Sequence, residues 1–330
     1  MIEPSAVDVT DLTVRFRLRD RTVHAVNGIR FRLERGEVLG ILGESGSGKS
    51  VTLRAVMRLL PANCEIGGQI FVCGEDVNGA SAQRLEDLRG GRIAMIFQEP
   101  ITALDPVFTI GEQIAETIVR HEGVSRREGR RRALELLERV QIPSARRRLD
   151  AYPHEMSGGM RQRAMIALAL CCNPSVLLAD EPTTALDVTV QIQILLLLRE
   201  LQRELGMAVI FVTHDVGAAV EVSDRLAVMY AGRFVETGSA RDVMRKRAHP
   251  YTEGLLAANL HGAEPGRRLK TIPGAPPDLA ALPPGCSLLR VAPAHCRGAA
   301  SACRTSNLVV KDMLPAAFAS RNGSPFRLKT

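Results

Sequence analysis

The hydrophobic residues near the start of the chain have the spacing of β-strands. Apolar and polar positions alternate over residues 7–16 and again over residues 25–33, which predicts two strands that each bury one face. A continuous apolar run at Val38–Leu42 predicts a third strand that is buried on both faces. We then expect a helix over residues 49–60, because a proline follows it, and a short buried strand over residues 93–98.

The pattern changes to a helical period in the middle of the chain. Ser125 and Glu128 have the spacing of a capping box at the start of a helix. The apolar residues of that helix fall on one face, and they are Ala133, Leu134, Leu136, Leu137 and Val140. We therefore predict an α-helical subdomain over about residues 100–165, inserted into the rest of the fold.

Strands and helices alternate again after this block. The pattern predicts a helix from Ser157, a strand over residues 176–179, a helix over Val188–Leu205, a strand over residues 208–212, a helix from Asp215, and strands near Leu226 and Phe234. Repeated strand–helix units indicate a mainly parallel sheet covered on both faces. The sequence thus predicts an α/β fold with an N-terminal antiparallel β subdomain, the inserted helical subdomain and a loop-rich C-terminal extension in which Pro and Gly are frequent.

The composition of the 330 residues narrows the class of protein. Hydrophobic residues are 45% and charged residues 24%, which excludes a disordered chain, a collagen and a disulfide scaffold. The formal charge of +7 allows contact with nucleotides, nucleic acid or an anionic membrane and selects none of them. We find no apolar stretch of the ~18 residues that a spanning helix needs and no secretory signal, and the odd number of cysteines, 7, is typical of a reducing compartment.

A glycine-rich loop after the third predicted strand carries the first chemical signal. It fits the phosphate-loop pattern G-x-x-x-x-G-K-[ST] and consists of Gly43, Glu44, Ser45, Gly46, Ser47, Gly48, Lys49 and Ser50. The glycines let backbone N–H groups surround phosphates, and the N-terminus of the following helix adds partial positive charge. Lys49 would reach the β- and γ-phosphates, and Ser50 would offer its hydroxyl to Mg²⁺. By itself this loop predicts a nucleotide site and does not identify the class of nucleotide-binding protein.

Two acidic residues follow another buried strand. The apolar run over residues 176–179 ends in Asp180 and Glu181, at an edge of the sheet that we expect to adjoin the phosphate loop. Asp180 would hold Mg²⁺ directly or through water. Glu181 would polarise or deprotonate the water in line with the γ-phosphate.

A second glycine-rich turn precedes a long apolar helix. Ser157 is a good N-cap, and Gly158 and Gly159 leave backbone N–H groups that can bind an anion. The chain already has one phosphate site with its own lysine. The turn is therefore either a simple capped helix start or an anion site for the nucleotide of another molecule.

Residues 5–250 resemble the ATP-binding cassette (ABC) ATPase family, in which such motifs occur in this order. The turn Met-Ser-Gly-Gly-Met at residues 156–160 is similar to the family signature LSGGQ, and residues 97–100 resemble its Q-loop. Residues 182–187 resemble its D-loop, and residues 212–215 resemble the segment of its switch histidine. Methionine followed by Arg-Gln-Arg at the end of the signature is similar to the oligopeptide/dipeptide/nickel importer branch. The resemblance implies a P-loop NTPase-type sheet and the cofactors ATP and Mg²⁺.

The resemblance assigns roles to three further side chains. Gln98 would bind Mg²⁺ and sense the γ-phosphate, and His214 would hold the γ-phosphate and orient Glu181 and the attacking water. Members of the family stack an aromatic ring on adenine, and Phe16 is the candidate here. Phe16 is equally consistent with an ordinary strand residue.

The resemblance also implies partners. Ser157, Gly158 and Gly159 would grip the γ-phosphate of ATP held by a second ABC ATPase subunit, either another copy or a sister chain, and Asp187 would contact that subunit. Two transmembrane permease subunits would dock on residues 99–107 and the helical subdomain, and a periplasmic solute-binding protein would act indirectly. The chain would be a peripheral protein on the cytoplasmic face of the inner membrane, and we expect no nucleic-acid partner.

These expectations predict an ATPase that energises an ABC importer, with peptides as the expected cargo. Another cargo, such as nickel, an opine or glutathione, stays open because the ATPase does not touch the cargo. A soluble ABC ATPase that acts on nucleic acid or ribosomes is a further alternative, but such proteins usually carry two cassettes or a long coiled-coil insertion. The arginine-rich runs at residues 126–132 and 146–148 have no interleaved aromatic residues, so we expect them to be solvated faces.

The extension over residues 251–330 resembles the tail of the peptide-importer branch. Three segments carry this resemblance, namely residues 248–252, 272–277 and 285–286. In some family members a cysteine group of the tail holds an iron–sulfur cluster, and the cysteines available here are Cys286, Cys296 and Cys303. Because such a cluster is usually held by four thiolates, a degenerate tail with free thiols is the alternative.

Overall fold

The computed structural model describes residues 4–258 and 275–283, which form two β-sheets and the helices around them. The strands, in chain order, are β1 (Val7–Arg17), β2 (Thr22–Leu33), β3 (Val38–Leu42), β4 (Cys64–Val72), β5 (Glu75–Asp76), β6 (Ile93–Ile96), β7 (Val176–Asp180), β8 (Ala208–Thr213), β9 (Arg225–Tyr230) and β10 (Arg233–Ser239). The helices are α1 (Lys49–Val56), α2 (Ala82–Leu88), α3 (Pro100–Ala103), α4 (Ile110–Glu122), α5 (Arg126–Arg139), α6 (Ala145–Arg148), α7 (Gly158–Leu170), α8 (Val188–Leu205), α9 (Val216–Val222), α10 (Ala240–Lys246) and α11 (Pro250–Ala257), with a 3₁₀ helix at Pro153–Glu155.

The larger sheet has the strand order β10–β9–β3–β8–β7–β6. Its neighbours pair in parallel, except that β10 pairs antiparallel with β9. Every residue of β3, β7 and β8 is buried, which explains their continuous apolar sequences. The mainly parallel sheet predicted from the alternating pattern is confirmed, and the carboxyl ends of β3, β8 and β7 lie side by side at one edge.

The smaller sheet is antiparallel and has the order β2–β1–β4–β5. Val14 at the centre of β1 lies opposite Val26 on one side and Ile66 on the other. Helix α1 packs between this sheet and the larger one, and their shared core includes Leu12 and Leu53. The predicted N-terminal antiparallel subdomain is therefore confirmed, and it covers the face of the larger sheet on which α1 lies.

The helices between β6 and β7 form their own packed layer against the larger sheet. Helices α4, α5 and α7 contact one another, and α7 contacts β6. The inner face of α4 repeats isoleucine at helical spacing, and its buried members are Ile110, Ile114 and Ile118. The inserted helical part of the predicted fold is present.

Two helix ends differ from the sequence prediction. Ser125 accepts a hydrogen bond from Glu128 N at 3.3 Å, but the Glu128 carboxylate accepts from Arg131 and does not complete the capping box. The helix after the phosphate loop ends at Val56 rather than at residue 60. It ends there because Arg58 has a left-handed φ of 53°, which a helix cannot accommodate.

The described residues beyond β10 pack on the edge of the larger sheet. Tyr251 of α11 is buried in an apolar cluster with Leu226 and Tyr230 of β9, and Leu279 and Leu282 pack against the same cluster. No helix in the described stretches combines the length and apolar character needed to cross a bilayer.

Candidate active site

The loop between β3 and α1 lies at the carboxyl edge of the larger sheet. Gly48 has a φ of 107°, and a Cβ at this position would lie 2.5 Å from the carbonyl oxygen of Ala25, so only glycine fits. Ser45 and Gly46 are exposed at the tip of the loop. The Ser47 Oγ is buried and has no hydrogen-bond partner among the described residues. A glycine loop that leads into a helix N-terminus, with an inward hydroxyl, fits a phosphate group.

Lys49 is buried inside this loop, with only 4% of its surface exposed. Its Nζ donates hydrogen bonds to the carbonyl oxygens of Gly43 at 2.8 Å and Glu44 at 2.9 Å. It also lies 3.9 Å from Glu181 Oε1. Burial lowers the pKa of Lys49, and the charges of Glu181, Asp180 and Glu44 oppose that shift. The lysine is therefore a buried ammonium held at the loop by carbonyl oxygens.

Ser50 and Asp180 are joined by a hydrogen bond across the sheet edge. Ser50 Oγ donates to Asp180 Oδ1 at 2.7 Å, and Asp180 is 1% exposed. Burial raises the pKa of Asp180, and the hydrogen bond from Ser50 works in the opposite direction. Hydroxyl and carboxylate oxygens are the ligands that Mg²⁺ prefers. These two residues therefore fit a magnesium ion beside the phosphate loop.

Glu181 is held by side chains from three loops. Its backbone N–H donates to Val212 O at 2.9 Å, so the residue stays attached to β8 although its φ is +47°. Its Oε2 accepts from Gln98 Nε2 at 3.3 Å and Thr184 Oγ1 at 3.0 Å, and it lies 3.1 Å from His214 Nδ1. Gln98, Thr184 and His214 follow β6, β7 and β8 respectively. The arrangement fixes one carboxylate oxygen and leaves Oε1 beside Lys49.

The structure brings together the three side chains that the sequence analysis predicts to be catalytic. Glu181, His214 and Gln98 meet at the carboxyl edge of adjacent strands, next to Lys49 and Asp180. The His214 side chain is 61% exposed and Glu181 12% exposed. A carboxylate that is mostly shielded, with a more accessible imidazole beside it, can activate a water molecule that approaches from the solvent side.

The second glycine-rich turn lies apart from this group. Ser157 Oγ caps α7 by accepting from Met160 N at 3.3 Å, and both Ser157 and Gly158 are exposed. A Cβ on Gly159 would lie 2.9 Å from Val190 Cγ1, so the start of α7 packs tightly on α8. Over residues 4–258 and 275–283, no hydrogen bond or ion pair joins this turn to the phosphate loop.

Asp187 and Phe16 are also outside the Glu181 group. Asp187 is exposed and caps α8, because its Oδ1 accepts from Val190 N at 3.0 Å. Phe16 lies on β1 opposite Val23 and Cys64, and its half-buried ring packs against the core between the sheets. Neither position contradicts the expected role, and neither brings the side chain to the phosphate loop.

Sequence reasoning missed two residues that contact the site. Thr184 was part of a recognised segment, but its hydroxyl was not expected to bond Glu181; its place three residues after Glu181 in a turn was the available signal. Tyr251 accepts a hydrogen bond from Glu44 N at 3.2 Å across a separation of 207 residues. No local pattern could have indicated that contact.

The cysteines of the predicted tail site, Cys286, Cys296 and Cys303, lie outside the described residues. Within the part of the chain that the structure describes, no group of three or more His, Cys, Asp or Glu side chains has the arrangement of a preformed metal site. The described cysteines are free thiols, namely Cys64, Cys73, Cys171 and Cys172.

Comparisons with known proteins agree with this geometry. A family model described as ABC transporter matches residues 26–184, and one described as Oligopeptide/dipeptide transporter, C-terminal region, matches residues 235–303. The chain is 50% identical over 280 residues to the oligopeptide transport ATP-binding protein OppD of Salmonella typhimurium, covering 85% of this chain and 84% of that protein.

Solved structures give the same assignment. A dimeric ATP-binding cassette in a post-hydrolysis state bound to ADP and Pi matches with a TM-score of 0.65 and 30% identity, over 71% of this chain and 99% of that chain. The protein cbiO1 of Clostridium perfringens, part of the ABC transporter complex cbiONQ, matches with a TM-score of 0.62 and 29% identity, over 74% of this chain and 92% of that chain. The chain therefore belongs to the ABC transporter family, as one of its ATPase subunits, and it carries the C-terminal region of the oligopeptide/dipeptide branch.

Proposed function

We propose that this chain hydrolyses Mg–ATP at a site completed by a second ATPase subunit, and that this drives the import of peptides through separate permease subunits. The observation that supports the chemistry most is the carboxylate of Glu181. Gln98, Thr184 and His214 surround its Oε2, and Lys49 lies beside its Oε1. A carboxylate fixed in this way next to a buried ammonium suits a general base for a water that attacks the γ-phosphate.

The phosphate-loop side binds the nucleotide in this proposal. The backbone of residues 43–50 surrounds the β- and γ-phosphates, and the Lys49 ammonium binds them from its place at the carbonyl oxygen of Gly43. Ser50, Asp180 and Gln98 hold Mg²⁺. When bound, Mg²⁺ neutralises charge that develops on the phosphate oxygens.

The other residues of the site act on the attacking water or on the partner subunit. His214 and Thr184 orient Glu181, and His214 donates to the γ-phosphate through its exposed edge. The turn at residues 157–159 grips the γ-phosphate of the opposing subunit's ATP, and Asp187 contacts that subunit. Phe16 stacks on adenine. The exposed position of the turn supports this assignment, because an anion site with no link to its own phosphate loop is available to another molecule.

The names of the relatives support the proposed assembly and cargo. One relative bears the name oligopeptide transport ATP-binding protein, and the matched C-terminal region is of the oligopeptide/dipeptide type. We infer that residues 5–250 form the ATPase cassette and residues 251–330 the extension, and that two permease subunits dock on the helical part. The protein then acts at the cytoplasmic face of the inner membrane, and a periplasmic solute-binding protein delivers the cargo.

Peptide uptake by a reconstituted assembly tests this function. The full chain would be co-expressed with candidate permease and sister ATPase subunits of the same organism, and ATP-driven uptake of a labelled tripeptide into vesicles would be measured with a candidate binding protein present. The matched control is Lys49→Met, which keeps the buried stem and removes the ammonium. We expect uptake and ATP hydrolysis in the parent and neither in Lys49→Met. Uptake of nickel or glutathione but not of peptide would contradict the cargo, and a complete assembly that does not hydrolyse ATP would contradict the whole proposal.

A further inference from the structure

The first turn of α11 is buried beside the phosphate loop, although it lies at the far end of the cassette in sequence. Tyr251 is 1% exposed and Thr252 is 0% exposed. The ring of Tyr251 packs against the ring of Tyr230 on β9, with centroids 4.5 Å apart and planes inclined at 46°. A tyrosine buried this deeply needs a partner for its hydroxyl.

That partner is the phosphate loop itself. The N–H of Glu44 donates a hydrogen bond to Tyr251 Oη at 3.2 Å. The same peptide group, between Gly43 and Glu44, accepts a hydrogen bond from Lys49 Nζ at Gly43 O, at 2.8 Å. The peptide plane is rigid, so the phenol at one end and the ammonium at the other fix its orientation together.

Tyr251 is held in place by a chain of buried contacts. The Glu236 carboxylate on β10 accepts from the N–H groups of Ala248 at 2.9 Å and His249 at 3.0 Å. His249 Nδ1 accepts from Tyr251 N at 3.2 Å. Burial lowers the pKa of His249 and raises that of Tyr251, so both side chains are neutral at physiological pH and keep these donor and acceptor roles.

A second described segment of the extension, residues 275–283, also contacts this region. Leu279 O accepts a hydrogen bond from His24 N on β2 at 2.9 Å, and Leu279 packs against the apolar cluster around Tyr251. The described parts of the extension therefore pack against β2 and against the apolar cluster that contains Tyr251.

We propose that Tyr251 is a positioning residue for ATP binding, which fixes the Gly43–Glu44 peptide so that Lys49 and the loop amides keep their places as phosphate arrives. In this way the C-terminal region forms part of the nucleotide site. The effect is on binding of ATP and not on the attacking water, because Tyr251 contacts the loop and, within residues 4–258 and 275–283, has no hydrogen bond to Glu181, Gln98, Thr184 or His214. The inference rests on the phosphate loop being the ATP site.

Two hydroxyl deletions in the same helix turn test this role. Tyr251→Phe keeps the ring and its packing and removes the acceptor for Glu44 N–H. Thr252→Val is the matched control, because Thr252 Oγ1 is buried without a hydrogen-bond partner among the described residues. In the full chain, we expect the Kd and KM for Mg–ATP to rise about fivefold in Tyr251→Phe, the effect of one hydrogen bond, with kcat within about twofold of the parent. Thr252→Val should bind ATP like the parent.

A change in general stability would not give this split between KM and kcat. Parent-like ATP binding by Tyr251→Phe, or equally weakened binding by Thr252→Val, would overturn the proposal. If the parent itself binds no ATP, the proposed function fails rather than the role of Tyr251. Amide hydrogen exchange adds a measurement without nucleotide, in which Glu44 N–H should exchange at least about tenfold faster in Tyr251→Phe. Unchanged exchange at Glu44 would also overturn the proposal.

Discussion

The phosphate-loop side of the molecule and the turn at residues 157–159 differ in burial and in the contacts that hold their side chains in place. Lys49 and Asp180 are at most 4% exposed; one hydrogen bond connects the loop to Asp180, and one ion pair connects it to Glu181. The turn is exposed, and its serine is used only to cap its own helix. A charge array that is buried and fully bonded is preorganised by folding. The turn has no such array among the described residues, which supports the proposal that its anion is the nucleotide of another molecule.

Replacing Glu181 by Gln should cause the largest change, and the change should be in the rate of ATP hydrolysis. The amide keeps the size of the side chain but cannot take a proton from water, so we expect kcat for ATP hydrolysis to fall by about 100-fold or more. ATP binding should persist, because Lys49 and the loop are untouched. Size-exclusion chromatography with Mg–ATP should then show an accumulated two-subunit assembly, either with itself or with its sister chain.

Two results for the Glu181→Gln variant would contradict the proposed role of Glu181. Hydrolysis at the parent's rate would mean that Glu181 does not activate the water. A loss of ATP binding in Glu181→Gln would mean that the carboxylate mainly holds the buried Lys49 in place, since the two lie 3.9 Å apart.

Gly158→Ala should cause the next largest decrease in ATP hydrolysis. This decrease should be seen only when two ATPase subunits are assembled. The added Cβ would lie 3.7 Å from Leu186 Cδ2, an ordinary contact, so the monomer should fold and bind ATP like the parent. The methyl group would add bulk at the exposed turn, where the proposal places the γ-phosphate of the opposing subunit's ATP. We expect hydrolysis to fall at least about tenfold, because small misplacements at a reacting phosphate are costly. An unchanged rate in a complete assembly would exclude the turn from the site.

Much of this contrast was available from the sequence. The runs at Val38–Leu42 and residues 176–179 identified buried strands, and the acids after the second run marked the sheet edge. The pattern G-x-x-x-x-G-K-[ST] predicts a phosphate loop, and the structure places that loop beside the same edge. The buried strands and the loop could be predicted because both patterns depend on residues that are close together in the chain.

The parts that could not be predicted depend on tertiary contacts or on single dihedral angles. Leu59 and Leu60 continue the apolar pattern of α1, but the left-handed Arg58 ends the helix before them. Thr184 could have pointed to solvent, and only the turn after β7 directs its hydroxyl to Glu181. Tyr251 meets the phosphate loop because β10 runs antiparallel to β9, away from that edge, and the segment after β10 returns the chain to it, which no local pattern encodes.

Gly159→Ala should separate packing from function within the same turn. Here the Cβ would lie 2.9 Å from Val190 Cγ1, and valine has little rotamer freedom to move away on a helix. We expect a loss of about 1 kcal/mol in unfolding free energy, or ~2 °C in Tm, whereas Gly158→Ala should leave Tm unchanged. Adding Val190→Ala should restore part of the stability. Equal Tm values for the two glycine variants would show that α7 and α8 do not pack as described.

Asp180→Asn should give a small change in thermal stability, and this change should be an increase. Burial raises the pKa of Asp180 in the folded protein, so near that pKa the folded state binds more protons than the unfolded state. By linkage, this carboxylate makes the protein less stable as the pH rises through the interval between the unfolded and folded pKa values, and the loss is complete above it. The asparagine removes the charge and can still accept from Ser50, so Tm at about pH 7 should rise by ~1–3 °C. The gain should shrink as the pH falls toward about 4, where the parent carboxyl is protonated as well. A Tm below that of the parent, or a gain that does not depend on pH, would contradict this prediction. It would show that the buried charge of Asp180 does not destabilise the folded protein.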